Sequence, residues 1–380
     1  MLSWDIFCRV VDNYGDIGVC WRLARQLAAE RHGAVRLWVD QPAALARIWP
    51  EVDAAADIQH CAGVDIRRWS EPLPPVTPHA VVIEAFACKT PDSFVELMAA
   101  RIPPPVWINL EYLSAEAWVD DCHMLPSPHP RLPLTKYFYF PGFTPRTGGL
   151  LRERDLLASR DAVREDCAER DGFWRGLGLP PPEPGELRIS LFSYANAAAA
   201  DLFAAWVASV QPIACVVPEG ILRDELAAFF GGPPATGTIA TRGNLRVAVI
   251  PFLRQTDYDR LLWACDINFI RGEDSFVRAQ WAGRPLVWHI YPQEADAHRA
   301  KLHAFVERHC AALEGSAALA VRRLFEAWNG DAADVDVTAA WTAAQARLPD
   351  WTAGAAAWTA GLSTQRDLAG ALAETVEKRL

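Results

Sequence analysis

Trp4-Asp5-Ile6-Phe7-Cys8-Arg9-Val10 runs straight into Val11-Asp12-Asn13-Tyr14-Gly15-Asp16-Ile17-Gly18, and the change of pattern between the two decides the fold class. The first stretch is an aromatic and β-branched run that reads as a strand. Beyond the loop, Cys20, Leu23, Ala24, Leu27 and Ala28 follow helical spacing and make one apolar stripe. Val35 to Val39 then reads as a second strand, so the opening of the chain is a βαβ unit. Further strand candidates at Ala80 to Glu84 and Val106 to Asn109 continue the alternation, which calls for a parallel sheet covered on both faces.

Outward from this unit, the chain breaks once and restarts. The segment from Gly142 through the charged run Arg152 to Asp155, and on to Pro180-Pro181-Pro182 and Pro184, has little strand pattern and carries the strongest breaker signal. Residues 1–155 are therefore expected to form one Rossmann-like domain and 156–185 a linker. Leu187, Ile189 and Leu191 then line one face of a strand, followed by candidates at Ile213 to Val217, Leu245 to Ile250, Asp266 to Ile270 and Pro285 to Ile290. These predict a second doubly wound domain over 186–350. Helical patterns alone remain after Ala295, and Leu368, Leu372, Val376 and Leu380 recur at four-residue steps, so 351–380 is expected to end in a helix packing back on the first domain. Two such α/β halves facing a cleft bind ligands beyond the carboxyl ends of their strands.

Composition narrows the function classes. A chain of 380 residues, 51% hydrophobic and 22% charged, suits two folded domains. Its net charge of -10 argues against broad nucleic-acid backbone binding, while leaving room for a local cationic site for one diphosphate. The amino terminus lacks the basic and apolar regions of a signal peptide, and no apolar stretch has membrane-spanning length. Nine scattered cysteines without a C-x-x-C pair favour reduced thiols over disulfides or zinc. A cytoplasmic protein without membrane association is the expectation.

Two loops and one aromatic group carry candidate chemistry. Asp12 and Asp16 stand just after the first strand, at the ligand-binding edge. Two carboxylates there would repel a pyrophosphate, and the loop is not G-x-G-x-x-G, so a first-domain dinucleotide site is disfavoured. Capping by Asp16 and a turn role for Asp12 are the structural alternative. In Phe269-Ile270-Arg271-Gly272-Glu273-Asp274-Ser275-Phe276 a strand ends, a glycine turns the chain and a helix begins. Its free amides, the Ser275 hydroxyl and the Arg271 guanidinium could hold a diphosphate, although Asp274 or Ser275 could equally be a plain cap. Glu273 is out of place beside a diphosphate unless it bonds sugar hydroxyls or a cationic substrate. Phe192, Tyr194, Phe252 and Gln255, at strand ends, could stack a base and read its edge, or be core. Metal use is not expected: Asp257-Tyr258-Asp259 opens a helix, Asp334-Val335-Asp336 lies in a linker-like stretch, and no histidine pair has zincin spacing.

These segments resemble the elongation factor P arginine rhamnosyltransferase family. The resembling strings are Trp4 to Leu27, Val82-Ile83-Glu84-Ala85-Phe86-Ala87-Cys88, Trp107 to Glu116, Phe140-Pro141-Gly142-Phe143, Gly148-Gly149-Leu150, Ser190 to Tyr194 and Arg271 to Gly283. The resemblance implies a GT-B fold, with an amino-terminal acceptor domain and a carboxyl-terminal donor domain. It implies inverting transfer of rhamnose from TDP-β-L-rhamnose to an arginine in the amino-terminal domain of elongation factor P, and with the residue reading above no metal or other cofactor is expected. It makes Asp12, Asp16 and Glu273 the reactive carboxylates. The donor contacts fall on Tyr194, Phe252, Gln255, Arg271, Gly272, Asp274 and Ser275, with Phe192 and, from the first loop, Asn13, Tyr14 and Gly15 counted beside them. The acceptor is expected to meet exposed turns near the acidic loop, such as Pro126-Ser127-Pro128 and Gly148-Gly149.

Overall fold

The computed structural model describes residues 2–12, 14–293, 297–331 and 335–380. They form two compact units, Met1–Arg154 with Ser363–Leu380, and Asp155–Leu362.

The first unit is built on an eight-stranded sheet: β1 Ser3–Cys8, β2 Ala34–Val39, β3 Ile58–Cys61, β4 Val64–Arg68, β5 Val81–Ala85, β6 Val106–Leu110, β7 Pro126–Pro128 and β8 Thr135–Tyr139. Helices α1 Gly15–Arg31, α2 Pro42–Ile48, α3 Asp92–Ala100 and α4 Val119–Cys122 connect them. The order is β3-β4-β2-β1-β5-β6-β8-β7. All pairings are parallel except the two outermost, β3 with β4 and β7 with β8. Strands β5 and β6 are buried at every position, as the middle of a doubly covered sheet must be. A buried charge is tolerated in β1 because Asp5 is fully bonded. It accepts from Arg36 Nε at 2.6 Å, Trp38 Nε1 at 3.0 Å and the His79 amide at 2.8 Å. The order of strands reverses between β1 and β5, so the loop after β1 leaves the sheet at its switch point.

The edge hairpins escape a sequence reading for physical reasons. β3 is half-exposed and polar, and its turn into β4 puts Ala62 and Gly63 at φ 48° and 79°, where alanine gives no warning of a primed turn. β7 contains two prolines, which an edge strand alone accommodates.

The second unit opens with two helices, α5 Leu156–Glu165 and α6 Cys167–Gly176, standing in the segment expected as a linker. Its six strands are β9 Leu187–Leu191, β10 Ile213–Pro218, β11 Ile239–Arg242, β12 Leu245–Ile250, β13 Ile267–Arg271 and β14 Leu286–His289, in the order β11-β12-β10-β9-β13-β14. β11 is an antiparallel edge and the rest are parallel. The helices are α7 Ala199–Ala208, α8 Arg223–Phe230, α9 Gln255–Ala264, α10 Asp274–Ala282, α11 Ala297–Cys310, α12 Gly315–Trp328, α13 Val337–Gln345 and α14 Leu348–Ser363. Here the reversal lies between β9 and β13. α5 supports the helix that follows β13: Arg160 Nη1 donates to the Trp281 carbonyl at 2.8 Å and Arg164 bonds the Ala282 carbonyl. Two cations thus sit on the carboxyl end of α10, which its dipole favours.

The last helix, α15 Leu368–Glu377, belongs to the first unit. Asp367 caps it by accepting from the Gly370 amide and also takes a bond from Gln26 Nε2 on α1, at 2.9 and 3.0 Å. Arg152 donates to the Ser363 and Gln365 carbonyls at 2.7 and 3.0 Å. Gly148 and Gly149 are buried under this segment, contrary to the exposed turn expected there. A side chain at Gly148 would collide with Tyr139 and Leu368, and one at Gly149, whose φ is 73°, with the Arg366 carbonyl. The pair permits close approach of two backbones, a use that sequence alone does not distinguish from a surface turn.

Candidate active site

In the first unit the loop after β1 folds around one carboxylate. Asp16, in the first turn of α1, is wholly buried. Its Oδ2 accepts from the Val11 and Asp12 amides at 2.8 and 2.9 Å, and its Oδ1 from the Tyr112 hydroxyl at 3.0 Å. Tyr112 comes from just beyond β6 and is stacked on Phe86, which follows β5, with ring centroids 4.3 Å apart. A carboxylate from one strand end is thus oriented by groups from two others. Asp12 is half-buried and its carbonyl accepts from the Gly15 amide at 2.7 Å, making the turn that starts α1. Tyr14 and Gly15 are half-buried in that turn. Asn13, assigned to the donor from sequence, lies outside the described residues.

In the second unit the loop after β13 handles its charges differently. Gly272 takes φ 65°, which lets the chain turn from strand to helix in one residue. Its carbonyl accepts from Trp288 Nε1 at 3.0 Å. The Ser275 hydroxyl bonds back to the Arg271 carbonyl. Asp274 faces a buried network: its Oδ2 accepts from Gln255 Nε2 at 2.9 Å and from Arg278 Nε at 2.7 Å, while Arg278 Nη1 reaches Asp259 at 2.5 Å. Glu273 forms an ion pair with Lys301 of α11 at 3.6 Å.

Arg271 supplies the cationic side of this loop. Its guanidinium lies 4.6 Å from the ring centroids of both Phe192 and Tyr194, within cation–π range. Phe192 in turn meets Phe252 edge-on, with centroids 6.3 Å apart, and Tyr194 meets His289 and Tyr291, each at 5.4 Å. Phe192, Tyr194 and Phe252 are half-buried, unlike the sealed aromatics of the core. His289 is bonded to the Ser193 hydroxyl at 2.7 Å. Burial first, then Arg271 and His298, push its pKa down to about 4, so it stands neutral behind Tyr194.

Residues 4–377 match the family described as elongation factor P rhamnosyltransferase EarP. The chain belongs to the EarP family. The protein-arginine rhamnosyltransferase of Pseudomonas putida is 51% identical over 371 residues, 97% of each chain. A solved structure described as the structural basis for EarP-mediated arginine glycosylation of translation elongation factor EF-P matches over 100% of both chains, with a TM-score of 0.71 and 37% identity. An α-glucosyltransferase solved with UDP and DNA shares the fold alone, at TM-score 0.50 and 10% identity over 99% of both chains. The fold is GT-B.

The structure places the residues singled out from sequence at strand ends within each unit: Asp12, Tyr14, Gly15 and Asp16 after β1, and Phe192, Tyr194, Phe252, Gln255 and Arg271 to Ser275 after β9, β12 and β13. Sequence does not single out Tyr112, Arg278, His289 or Lys301 as partners of these residues. Tyr112 carried a usable signal, its place two residues past a strand end. Lys301 carried none, since it lies on a helix 28 positions beyond Glu273. Among the described residues no cluster of three or more His, Cys, Asp or Glu is placed to hold a metal. Asp336 caps α13 through the Thr338 amide at 2.9 Å, and Asp259 pairs with Arg278. Asp334 lies outside the described residues. Of the nine cysteines, all free, six are buried, while Cys61 and Cys122 are half-buried and Cys167 is exposed. No helix among the described residues is long and apolar enough to cross a membrane.

Proposed function

We propose that this chain is a protein-arginine rhamnosyltransferase that moves rhamnose from TDP-β-L-rhamnose to an arginine side chain in the amino-terminal domain of elongation factor P, in the cytoplasm and without a metal. The match to the EarP family over residues 4–377, both loops included, carries the reading. A guanidinium is a poor nucleophile because it is protonated and its charge is delocalised over the planar fork. Asp12, at the half-buried lip of the first loop, would grip its planar fork. Asp16 would exchange its bond from the Tyr112 hydroxyl for one from the guanidinium and accept a proton as the nitrogen attacks the sugar C1. The C1–oxygen bond to the β-phosphate breaks on the opposite face, TDP leaves, and the configuration inverts to an α-linked rhamnosyl-arginine.

On the donor side, Arg271 and the first amides of α10 would take the diphosphate charge as it develops, with Ser275 shaping the turn. Phe192, Tyr194 and Phe252 would receive the thymine and Gln255 would read its edge, held by Asp274. Glu273 would hold either a rhamnose hydroxyl or the incoming arginine. Mass spectrometry of intact elongation factor P after incubation with this protein and TDP-rhamnose tests the reading. One added deoxyhexose on a single arginine is the expected result. Release of TDP or an altered sugar nucleotide without an acceptor would point to an epimerase, and saturable binding without turnover to a silent binder.

A further inference from the structure

Glu273 poses an electrostatic problem at the loop after β13. A carboxylate one residue from Gly272, at the amino end of α10, opposes any anion drawn to that helix start. Its neighbour Asp274 is compensated from within the helix by Arg278, which also serves Asp259. Arg271, at the end of β13, lies against two aromatic rings. A compensating charge comes from another element: Lys301 Nζ lies 3.6 Å from Glu273 Oε2, with the two side chains 19% and 9% exposed. Lys301 also stands 6.0 Å from the ring of Trp288, the residue whose Nε1 holds the Gly272 carbonyl. Trp288 is itself stacked on Phe276 of α10, with centroids 3.9 Å apart. Lysine, tryptophan and loop therefore form one assembly across β14, α10 and α11.

We propose that Lys301 is a positioning residue for the donor. By pairing with Glu273 it cancels the carboxylate charge at the loop that takes a nucleoside diphosphate, and it holds Glu273 in place for its sugar or acceptor contact. This rests on the donor-site reading above. Partial burial makes the pair less screened than a surface bridge, so its loss is felt by an anion at the same loop.

Calorimetric titration of TDP tests the idea without depending on turnover. Lys301→Met is expected to weaken TDP binding about tenfold or more, and Lys301→Arg to keep most of the affinity. The double variant Lys301→Met with Glu273→Gln is expected to regain most of the lost affinity while remaining poor in kcat, because the offending charge is gone. A purely structural bridge would not show this recovery. Unchanged TDP affinity in Lys301→Met, or a double variant as weak as the single one, overturns the inference alone. Absence of TDP binding by the wild-type chain overturns it together with the donor-site reading.

Discussion

The loops after β1 and β13 share one construction, a strand end that turns into a helix at the switch point of a doubly wound sheet, yet they dispose of their acidic residues in opposite ways. After β1 the inner carboxylate, Asp16, has no ion pair among the described residues. It is held by two backbone amides and a tyrosine hydroxyl, all neutral donors. After β13 both acids are matched by full positive charges, Asp274 by Arg278 and Glu273 by Lys301. A carboxylate held by neutral donors has no positive charge set against it by those bonds. Paired carboxylates leave the Arg271 guanidinium and the helix start to offer an anion. One edge geometry thus carries two different charge arrangements, which the proposed function assigns to a cationic acceptor in one unit and an anionic donor in the other.

The strongest way to break this comparison is to remove a compensating charge. Arg278→Leu would leave Asp259 and Asp274 facing each other in the interior, and is expected to destabilise the protein by about 3–5 kcal/mol, read by denaturant unfolding. A loss under 1 kcal/mol would mean that the buried network is not what fixes the loop after β13. Asp16→Asn attacks the other unit. Turnover should drop about a hundredfold or more while TDP affinity is unchanged, with a stability loss of about 1–3 kcal/mol because an amide cannot satisfy all three donors. If calorimetry finds weakened TDP binding and kinetics find normal kcat, the two loops have been assigned the wrong ligands.

Arg271→Ala should do the reverse, weakening TDP binding about tenfold or more and exposing the faces of Phe192 and Tyr194. Normal TDP affinity would sink the cationic role. Histidines sharpen the comparison through pH. His289 and His309 of the second unit are both pushed down to about 4, by burial above all. The unfolded chain, titrating near the ordinary value of 6.5, then binds more protons than the folded one between about pH 4 and 6.5. Their contribution to stability is therefore complete above about pH 6.5 and is lost as pH falls toward 4, each adding at most about 1.4 kcal/mol per pH unit to the slope. His309→Phe, which keeps the stacking on Phe305, should flatten the stability profile in that window. An unaltered slope would count against a neutral buried imidazole. The smallest expected effect is that of chelation: excess EDTA should leave the transfer rate unchanged, and loss restored by magnesium or manganese would show that cationic side chains do not suffice at the loop after β13.

Much of this was legible in the chain. Strands buried on both faces, such as Val81–Ala85 and Leu187–Leu191, write themselves as continuous apolar runs, so the two doubly wound sheets could be read directly. Loop residues at their carboxyl ends could be picked out because topology alone brings Asp12, Asp16 and Arg271 to ligand-binding edges. Less legible were the outer hairpins, whose half-exposed residues follow no single period. Residues 156–185 were equally hard to read. Prolines at 180–182 and 184 dominated the reading, although Leu156 and Val163, and then Phe173 and Trp174, bury short helical faces just before them.

What sequence by itself determined is the edge on which each candidate group stands, since a parallel strand followed by a helix delivers its loop to one side of the sheet wherever it occurs. Tertiary structure decided which charges those groups still carry toward a ligand. Tyr112, 96 positions beyond Asp16, and Lys301, 28 beyond Glu273, reach their carboxylates by strand order and helix packing. Coulomb interactions and hydrogen bonds depend on distance through space, and distance along the chain carries no trace of it.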